Sequence, residues 1–291
     1  MGEEVCRLAV DIGGTFTDVV LWSAEGQTTA KVLTTAQAPE QGVLTAVHQV
    51  LNKTGRLLSD VSLMIHGTTL ATNALIERKG PITAFLTRDG FRDILATGYE
   101  NRFAPYDLNA ARAAPLVPRP LRYTVPERMT ADGRVHVPLD QGAVRKVARL
   151  MSKASVEAIA VGFTHAYAYI QHEQMAAEIL QAELPGVRIC LSSDVCPEMR
   201  EYERFSTTCA NAYVQPLMAG YLDRLSNLLT HEGLHSPLYL MMSGGGLTTL
   251  DQAVRYPVRL IESGPAGGAL MSARLASARK LDNVLSFDMG G

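Results

Sequence analysis

The run Arg7-Leu8-Ala9-Val10-Asp11-Ile12-Gly13-Gly14 carries an apolar strand into an aspartate and a glycine pair, and the residues that follow, Thr15-Phe16-Thr17-Asp18-Val19-Val20-Leu21-Trp22, are β-branched and aromatic. The pattern is strand, glycine turn, strand. That order constrains the fold sharply, because P-loops and dinucleotide fingerprints open a helix after their glycines so that its N-terminus meets the phosphate. The pattern recurs at Val284-Leu285-Ser286-Phe287-Asp288-Met289-Gly290-Gly291. Two such elements, one from each of two duplicated domains, are what a cleft needs to grip phosphate from both sides. The second ends at its own turn, so the chain is expected to be a portion that cannot complete the chemistry alone.

Bulk properties narrow the partners. With 47% hydrophobic and 19% charged residues and a net charge of −2, the chain has ample core for globular units and no basic surface for nucleic acid or anionic membrane. Cys6, Cys190, Cys196 and Cys209 lack CxxC spacing and read as thiols in a reducing compartment. The acidic start Met1-Gly2-Glu3-Glu4-Val5 has no signal-peptide layout, and no apolar run reaches the roughly 20 residues that span a bilayer. A cytoplasmic location is expected.

Strand-like runs at 7–10, 17–22, 28–34, 63–66, 82–87, 158–164, 187–191, 238–242 and 284–288 alternate with helical patterns at 41–53, 69–78, 141–153, 172–183, 197–229 and 266–278, which predicts an α/β fold with a mixed sheet. The first three strands follow one another without a helix and so form an antiparallel meander. Pro216 is expected to interrupt the long fifth helix. Prolines from Pro105 to Pro138 exclude long regular elements over 98–138. The expected segments are therefore 1–97 with the first phosphate loop, a crossing segment 98–138, an α/β continuation 139–282 and the start of a second domain at 283–291.

The chemistry resides in the loops. Gly13 and Gly14 let backbone N–H groups approach an anion closely, and Thr15 and Thr17 can add hydroxyls. Asp11 suits a hydrated magnesium ion, which gives up its water reluctantly. The plainer alternative is a tight turn. His66-Gly67-Thr68-Thr69 ends a strand and starts a helix that Thr68 or Thr69 can cap, and the His66 imidazole could move a proton near neutral pH. Ser243-Gly244-Gly245-Gly246 and Glu262-Ser263-Gly264-Pro265-Ala266-Gly267-Gly268 are backbone-donor loops of the kind that line nucleotides. The charge-dense runs Arg88-Asp89-Gly90-Phe91-Arg92-Asp93 and Glu198 to Arg204 read as solvated helix faces. No zinc spacing and no GxSxG elbow occurs.

These blocks, in this order, resemble the hydantoinase/oxoprolinase family: DIGGTFTD at 11–18, HGTTLATNALIERKG at 66–80, TRDGFRD at 87–93, PEMREYERFSTTCANAYVQP at 197–216, ESGPAGG at 262–268 and FDMGG at 287–291. The family comprises the ATP-dependent subunits of enzymes that open hydantoin and oxoproline rings and, in a related branch, carboxylate acetone or acetophenone. The resemblance implies two ribonuclease-H-like domains, as in actin, hexokinase and the heat-shock-protein ATPase, with ATP in the cleft between them. It makes Asp11, Gly13, Gly14, Thr15 and Thr17 the first phosphate loop and Asp288, Gly290 and Gly291 the start of the second, with magnesium held through water by Asp11 and Asp288. Gly244, Gly245, Gly246, Ser263 and Gly264 would line the nucleotide, and His66, Thr68 and Thr69 would lie near the transferred phosphoryl group or the substrate. Histidine at 66 resembles the hydantoinase and ketone carboxylase branches more than the oxoprolinases. Gly244 departs from the family's Ser-Asn-Gly-Gly.

The implied function is phosphorylation of a cyclic amide carbonyl by ATP for ring opening, completed with a second hydantoinase-type subunit or the missing C-terminal half. Phosphorylation matters because a bare amide oxygen is a poor leaving group. The alternatives are a ketone carboxylase subunit, a small-molecule kinase, and an inactive truncated or split-gene half that binds a partner.

Overall fold

A computed structural model of the chain describes residues 6–35, 37–99, 104, 106–107, 109 and 113–287. The backbone divides into two compact units, Met1–Glu77 with Leu217–Gly291, and Arg78–Pro216. The first opens with β1 (Arg7–Ile12), β2 (Phe16–Ser23) and β3 (Gly26–Leu33), which form the antiparallel meander. Period-two alternation seats them: Leu8, Val10, Ile12, Val19 and Leu21 point into the core, and Ala9 and Asp11 point the other way. Helix α1 (Pro39–Thr54) starts on a proline, stops at left-handed Gly55 and packs against β2 and β3 with Val43, Ala46, Val47 and Val50 buried. Strand β4 (Leu63–Thr68) then joins β1 in parallel and runs into α2 (Leu70–Ile76).

The chain next builds the second unit: β5 (Thr83–Arg88), α3 (Ile94–Thr97), β6 (Arg122–Val125), β7 (Arg128–Met129), β8 (Val135–Val137), α4 (Gln141–Lys153), β9 (Ala158–Gly162), α5 (Gln171–Glu183), β10 (Arg188–Leu191) and α6 (Ser192–Val195). Its main sheet, β10-β9-β5-β6, is wholly parallel. A strand covered on both faces reads as an unbroken apolar run, as β9 does, and Leu86, Val144, Met151, Ile159 and Val161 form part of the core. Helix α7 (Glu201–His231) begins in this unit and ends in the first. There β11 (Leu238–Met241), β12 (Leu247–Thr249), α8 (Leu250–Arg255) and α9 (Ser263–Ala278) complete a sheet of order β12-β11-β4-β1-β2-β3, parallel through β11, β4 and β1. Among the described residues no helix is long and apolar enough to cross a membrane. None of the four cysteines forms a disulfide.

Several expectations need correction. Pro216 does not interrupt α7, which runs unbroken through it. The missing N–H costs one helical bond, and buried neighbours on both sides, among them Cys209, Ala212, Tyr213, Met218, Ala219 and Leu222, hold the helix in place. The unit boundary falls at this proline. The breaks at 77/78 and 216/217 lie inside stretches that hydrophobic pattern treats as continuous, because periodicity does not report which sheet a strand joins. Arg204 is not on a solvated face. It is fully buried, donating from Nε to Ser192 Oγ at 3.1 Å, from Nη1 to the Glu198 carbonyl at 2.7 Å and from Nη2 to the Phe163 carbonyl at 3.0 Å. Burial lowers its pKa from the usual value. Residues 284–287 are not in a strand, and Asp288, Gly290 and Gly291 lie outside the described residues.

Candidate functional site

The β1–β2 hairpin turns on Gly13, Gly14 and Thr15. The Gly13 N–H donates to the Phe16 carbonyl and the Thr34 N–H to the Thr15 carbonyl, each at 2.9 Å. Thr34 Oγ1 donates to the Gly13 carbonyl at 3.0 Å, so its oxygen accepts from Thr17 Oγ1, also 3.0 Å away. Thr17 is fully buried, and its hydroxyl braces the turn from inside. Gly14 and Thr15 stand exposed at the tip. Neither Gly13 nor Gly14 is in the left-handed region. Space is what calls for glycine: a Cβ at Gly13 would lie 3.2 Å from the Phe16 carbonyl oxygen, and one at Gly14 would lie 3.5 Å from Asn73 Nδ2.

The β4–α2 corner is stitched to this hairpin. Thr69 donates to the Ile12 carbonyl from its N–H at 3.0 Å and from Oγ1 at 3.2 Å, and Thr68 Oγ1 accepts from the Leu70 N–H at 3.2 Å. Of the two candidate caps it is therefore Thr68 that serves the helix, and both hydroxyls are spent on structure. In register, Asp11 lies between Asp18 and Gly67. A Cβ on Gly67 would come within 2.8 Å of Asp11 Oδ1, so glycine there leaves room for the carboxylate. Asp18 is paired with Lys31 at 2.9 Å.

His66 sits elsewhere. Alternation turns it to the face of β4 opposite Ile65 and Gly67, where it is fully buried. Its Nδ1 lies 3.4 Å from the Val10 carbonyl and its Nε2 2.8 Å from Tyr221 Oη. A carbonyl only accepts, so Nδ1 carries the proton and the Tyr221 hydroxyl donates to Nε2. Burial drives the His66 pKa from 6.5 to about 4, against a small opposing effect of the Val10 carbonyl. A neutral, enclosed imidazole with both nitrogens engaged holds β4 against β1. Burial likewise raises the Tyr221 hydroxyl well above its ordinary value.

On the exposed face of the same sheet lies a cavity of about 410 Å³. Ala9, Val20, Ile65 and Met241 make its apolar walls, Asp11 and Asp18 supply carboxylates, and Gly67 opens its floor. Ser263, Gly264, Gly267 and Gly268 of α9 also line it. Ser263 Oγ donates to the Thr68 carbonyl at 3.4 Å, and the N–H of Glu262, which is left-handed, donates to Thr72 Oγ1 at 3.2 Å. The structure thus brings together Asp11, Ser263 and Gly264 of the expected site residues. Gly244, Gly245 and Gly246 lie instead in the β11–β12 hairpin, where the Met242 N–H donates to the Gly246 carbonyl and the Gly245 N–H to the Met242 carbonyl. Sequence reasoning missed Asn73, Tyr221, Ile65 and Met241. Only Asn73 left a signal, as the residue four beyond Thr69 on a helix, and its Nδ2 donates to Thr69 Oγ1 at 3.3 Å.

Family models match the chain as the hydantoinase/oxoprolinase N-terminal region over residues 7–184 and as hydantoinase/oxoprolinase over residues 204–291. The chain belongs to the hydantoinase/oxoprolinase family. Caprolactamase subunit alpha of Pseudomonas jessenii is 35% identical over 300 residues, a match that covers 100% of this chain and 43% of that protein. The crystal structure of the ATP-dependent caprolactamase superposes with a TM-score of 0.87 at 34% identity, over 98% of this chain and 42% of the other. The 5-oxoprolinase of Saccharomyces cerevisiae is 30% identical over 328 residues, covering 98% and 25%. A nucleotide-free acetone carboxylase structure, from work on ATP-dependent acetone carboxylation, gives a TM-score of 0.87 at 25% identity, over 95% and 41%. This hydantoinase/oxoprolinase chain therefore spans less than half the length of these relatives.

Proposed function

We propose that the chain is the N-terminal part of an ATP-dependent enzyme that phosphorylates the carbonyl oxygen of a cyclic amide and so prepares the ring for opening. The observation that carries this reading is the Asp11 carboxylate on a cavity wall beside an exposed glycine hairpin. A sheet ordered β3-β2-β1-β4-β11, antiparallel and then parallel, supports a ribonuclease-H-like domain. The matches to an ATP-dependent caprolactamase and to a 5-oxoprolinase support the chemistry.

The residues fit magnesium and triphosphate: Asp11 offers hard oxygen with room above Gly67, and the tip offers the amides of Gly14 and Thr15. When bound, ATP supplies the phosphoryl group and magnesium neutralises phosphate charge. Gly13, Thr17 and Thr34 hold the turn in the shape that receives the phosphates. Thr68, Thr69 and His66 act as positioning residues, fixing β4 and α2 beside Asp11. Asp288, Gly290 and Gly291 are proposed as the start of the second phosphate loop, and Gly244 to Gly246 as a more distant wall. The remaining machinery, including a partner for hydrolysis, would come from polypeptide equivalent to the rest of the relatives' length, in the cytoplasm. Ketone activation is the second reading, favoured by the acetone carboxylase likeness.

The test is an amide NMR titration of the chain with magnesium-ATP. Gly14 and Thr15 should shift, and Asp11→Ala should weaken the response at least about tenfold. No shift at the hairpin would end this reading. The chain alone should turn over no ATP, and turnover that survives Asp11→Ala would contradict the assignment of Asp11.

A further inference from the structure

We infer that Asn73 is a nucleotide-binding residue, and that the second hydrogen of its side-chain amide donates to the phosphate received by the Gly14 and Thr15 amides. The inference rests on the proposed function and adds to it a side-chain donor carried by α2. The threonines around Asn73 are engaged in holding the corner together. Thr68 Oγ1 accepts the Leu70 N–H, Thr72 Oγ1 accepts the Glu262 N–H, and Thr69 Oγ1 donates to the Ile12 carbonyl. Asn73 differs from them in having hydrogen-bonding capacity to spare. It is half-buried, and among the described residues its side chain bonds to Thr69 and to nothing else.

The same bond fixes which end of the carboxamide faces the hairpin. Thr69 Oγ1 spends its one proton on the Ile12 carbonyl at 3.2 Å, so toward Asn73 it can only accept. The group 3.3 Å away from it is therefore the amide nitrogen, and one Nδ2 hydrogen is used there. An amide nitrogen carries two. Nδ2 also stands 3.5 Å from the point that a Cβ on Gly14 would occupy, and among the described residues it is the only atom outside residues 13–15 within 4 Å of that point. The remaining hydrogen thus belongs to a nitrogen that flanks the exposed tip of the turn, beside the backbone donors of Gly14 and Thr15. A neutral N–H aimed at an ionised phosphoryl oxygen makes a stronger bond than one aimed at a neutral acceptor, so this position favours phosphate over an uncharged group.

The experiment titrates the full chain and two variants, Asn73→Ala and Asn73→Asp, with magnesium-ATP, following the Gly14 and Thr15 amides together with the side-chain amide of Asn73 in the wild type. The Asn73 side-chain signal should move with the hairpin amides. Asn73→Ala should weaken binding at least about tenfold, the loss of one hydrogen bond to a charged group. Asn73→Asp should weaken it further, because a carboxylate then faces the phosphate, and added salt should narrow the gap between the two variants. A purely structural brace gives the opposite order: an aspartate oxygen still bonds the Thr69 hydroxyl, so Asp would be milder than Ala. That order, or a wild-type side-chain amide that stays still while Gly14 and Thr15 shift, overturns the inference and leaves the phosphate reading intact. Where a variant fails to fold, judged by far-UV circular dichroism, the wild-type side-chain signal decides. If Gly14 and Thr15 themselves do not shift, the phosphate reading fails and takes this inference with it.

Discussion

Acidification should unseat the first unit through His66, and the size of the effect follows from its burial. With a pKa of about 4 in the folded chain against an ordinary 6.5, the folded state binds fewer protons than the unfolded chain between those values. The stability it confers is therefore complete above pH 6.5 and is lost as pH falls toward 4. Integrating the two titrations gives a loss of about 2 kcal/mol by pH 5 and about 3 kcal/mol by pH 4. Other groups titrate over the same range, so the informative quantity is a difference. His66→Asn keeps an N–H donor of similar reach toward the Val10 carbonyl and removes the ionisation. Trp22, the only tryptophan, lies on β2 and reports unfolding of this unit. Urea melts followed by its fluorescence at a series of pH values should show the wild-type chain losing stability relative to His66→Asn by these amounts. A flat difference, or an NMR titration placing His66 near 6.5, would refute the buried, neutral imidazole and with it the assignment of His66 as a positioning residue.

Three further outcomes follow from the same geometry. Tyr221→Phe leaves His66 Nε2 buried without its donor and should cost about 1–3 kcal/mol in the same urea assay, whereas no cost would mean the 2.8 Å bond contributes nothing. Gly67→Ala puts a methyl within 2.8 Å of Asp11 Oδ1, so the carboxylate must move; the magnesium-ATP response of Gly14 and Thr15 should be lost while far-UV circular dichroism is retained, and an undiminished response would exclude Asp11 from nucleotide binding. Pro216→Ala restores an N–H to the interior of α7 and should raise stability by about 1–3 kcal/mol, measured by thermal and urea melts; a fall would mean that the proline itself is needed for packing.

How much of this was legible in the sequence depended on the range of the physics involved. The β1–β2 hairpin was readable because its signals are local: alternation, two glycines and β-branched residues on either side fix strand, turn and strand within a few positions. Strand β6 and the pair β7–β8 were hidden because prolines from Pro105 to Pro138 suppress every local cue, and β6 is a strand by virtue of pairing with β5. Arg204 shows the limit from the other side, since a charge-dense helix start resembles a solvated face until acceptors on Ser192, Glu198 and Phe163, the last of them 41 residues away, draw the guanidinium inside.

His66 is the sharper case, because its position in the motif and its parity along the strand point in different directions. Its place at the end of an apolar strand beside Gly67 and Thr68 suggests a reacting group, but strand parity already assigns a side. If Asp11 of β1 and Gly67 of β4 share a row, then the residue before Gly67 faces the opposite surface, with Val10. Parity alone therefore places His66 and Asp11 on different faces once β1 and β4 are known to be neighbours in register. What the sequence does not contain is that pairing, nor Tyr221, which lies 155 residues away and closes the pocket around the imidazole. The site thus divides into a face that can meet ligand, carrying Asp11, Ile65 and Gly67, and a rear face, carrying His66, whose burial keeps the first in register. A substitution on the rear face should therefore alter ligand binding only to the extent that it alters stability, and the His66→Asn comparison separates the two.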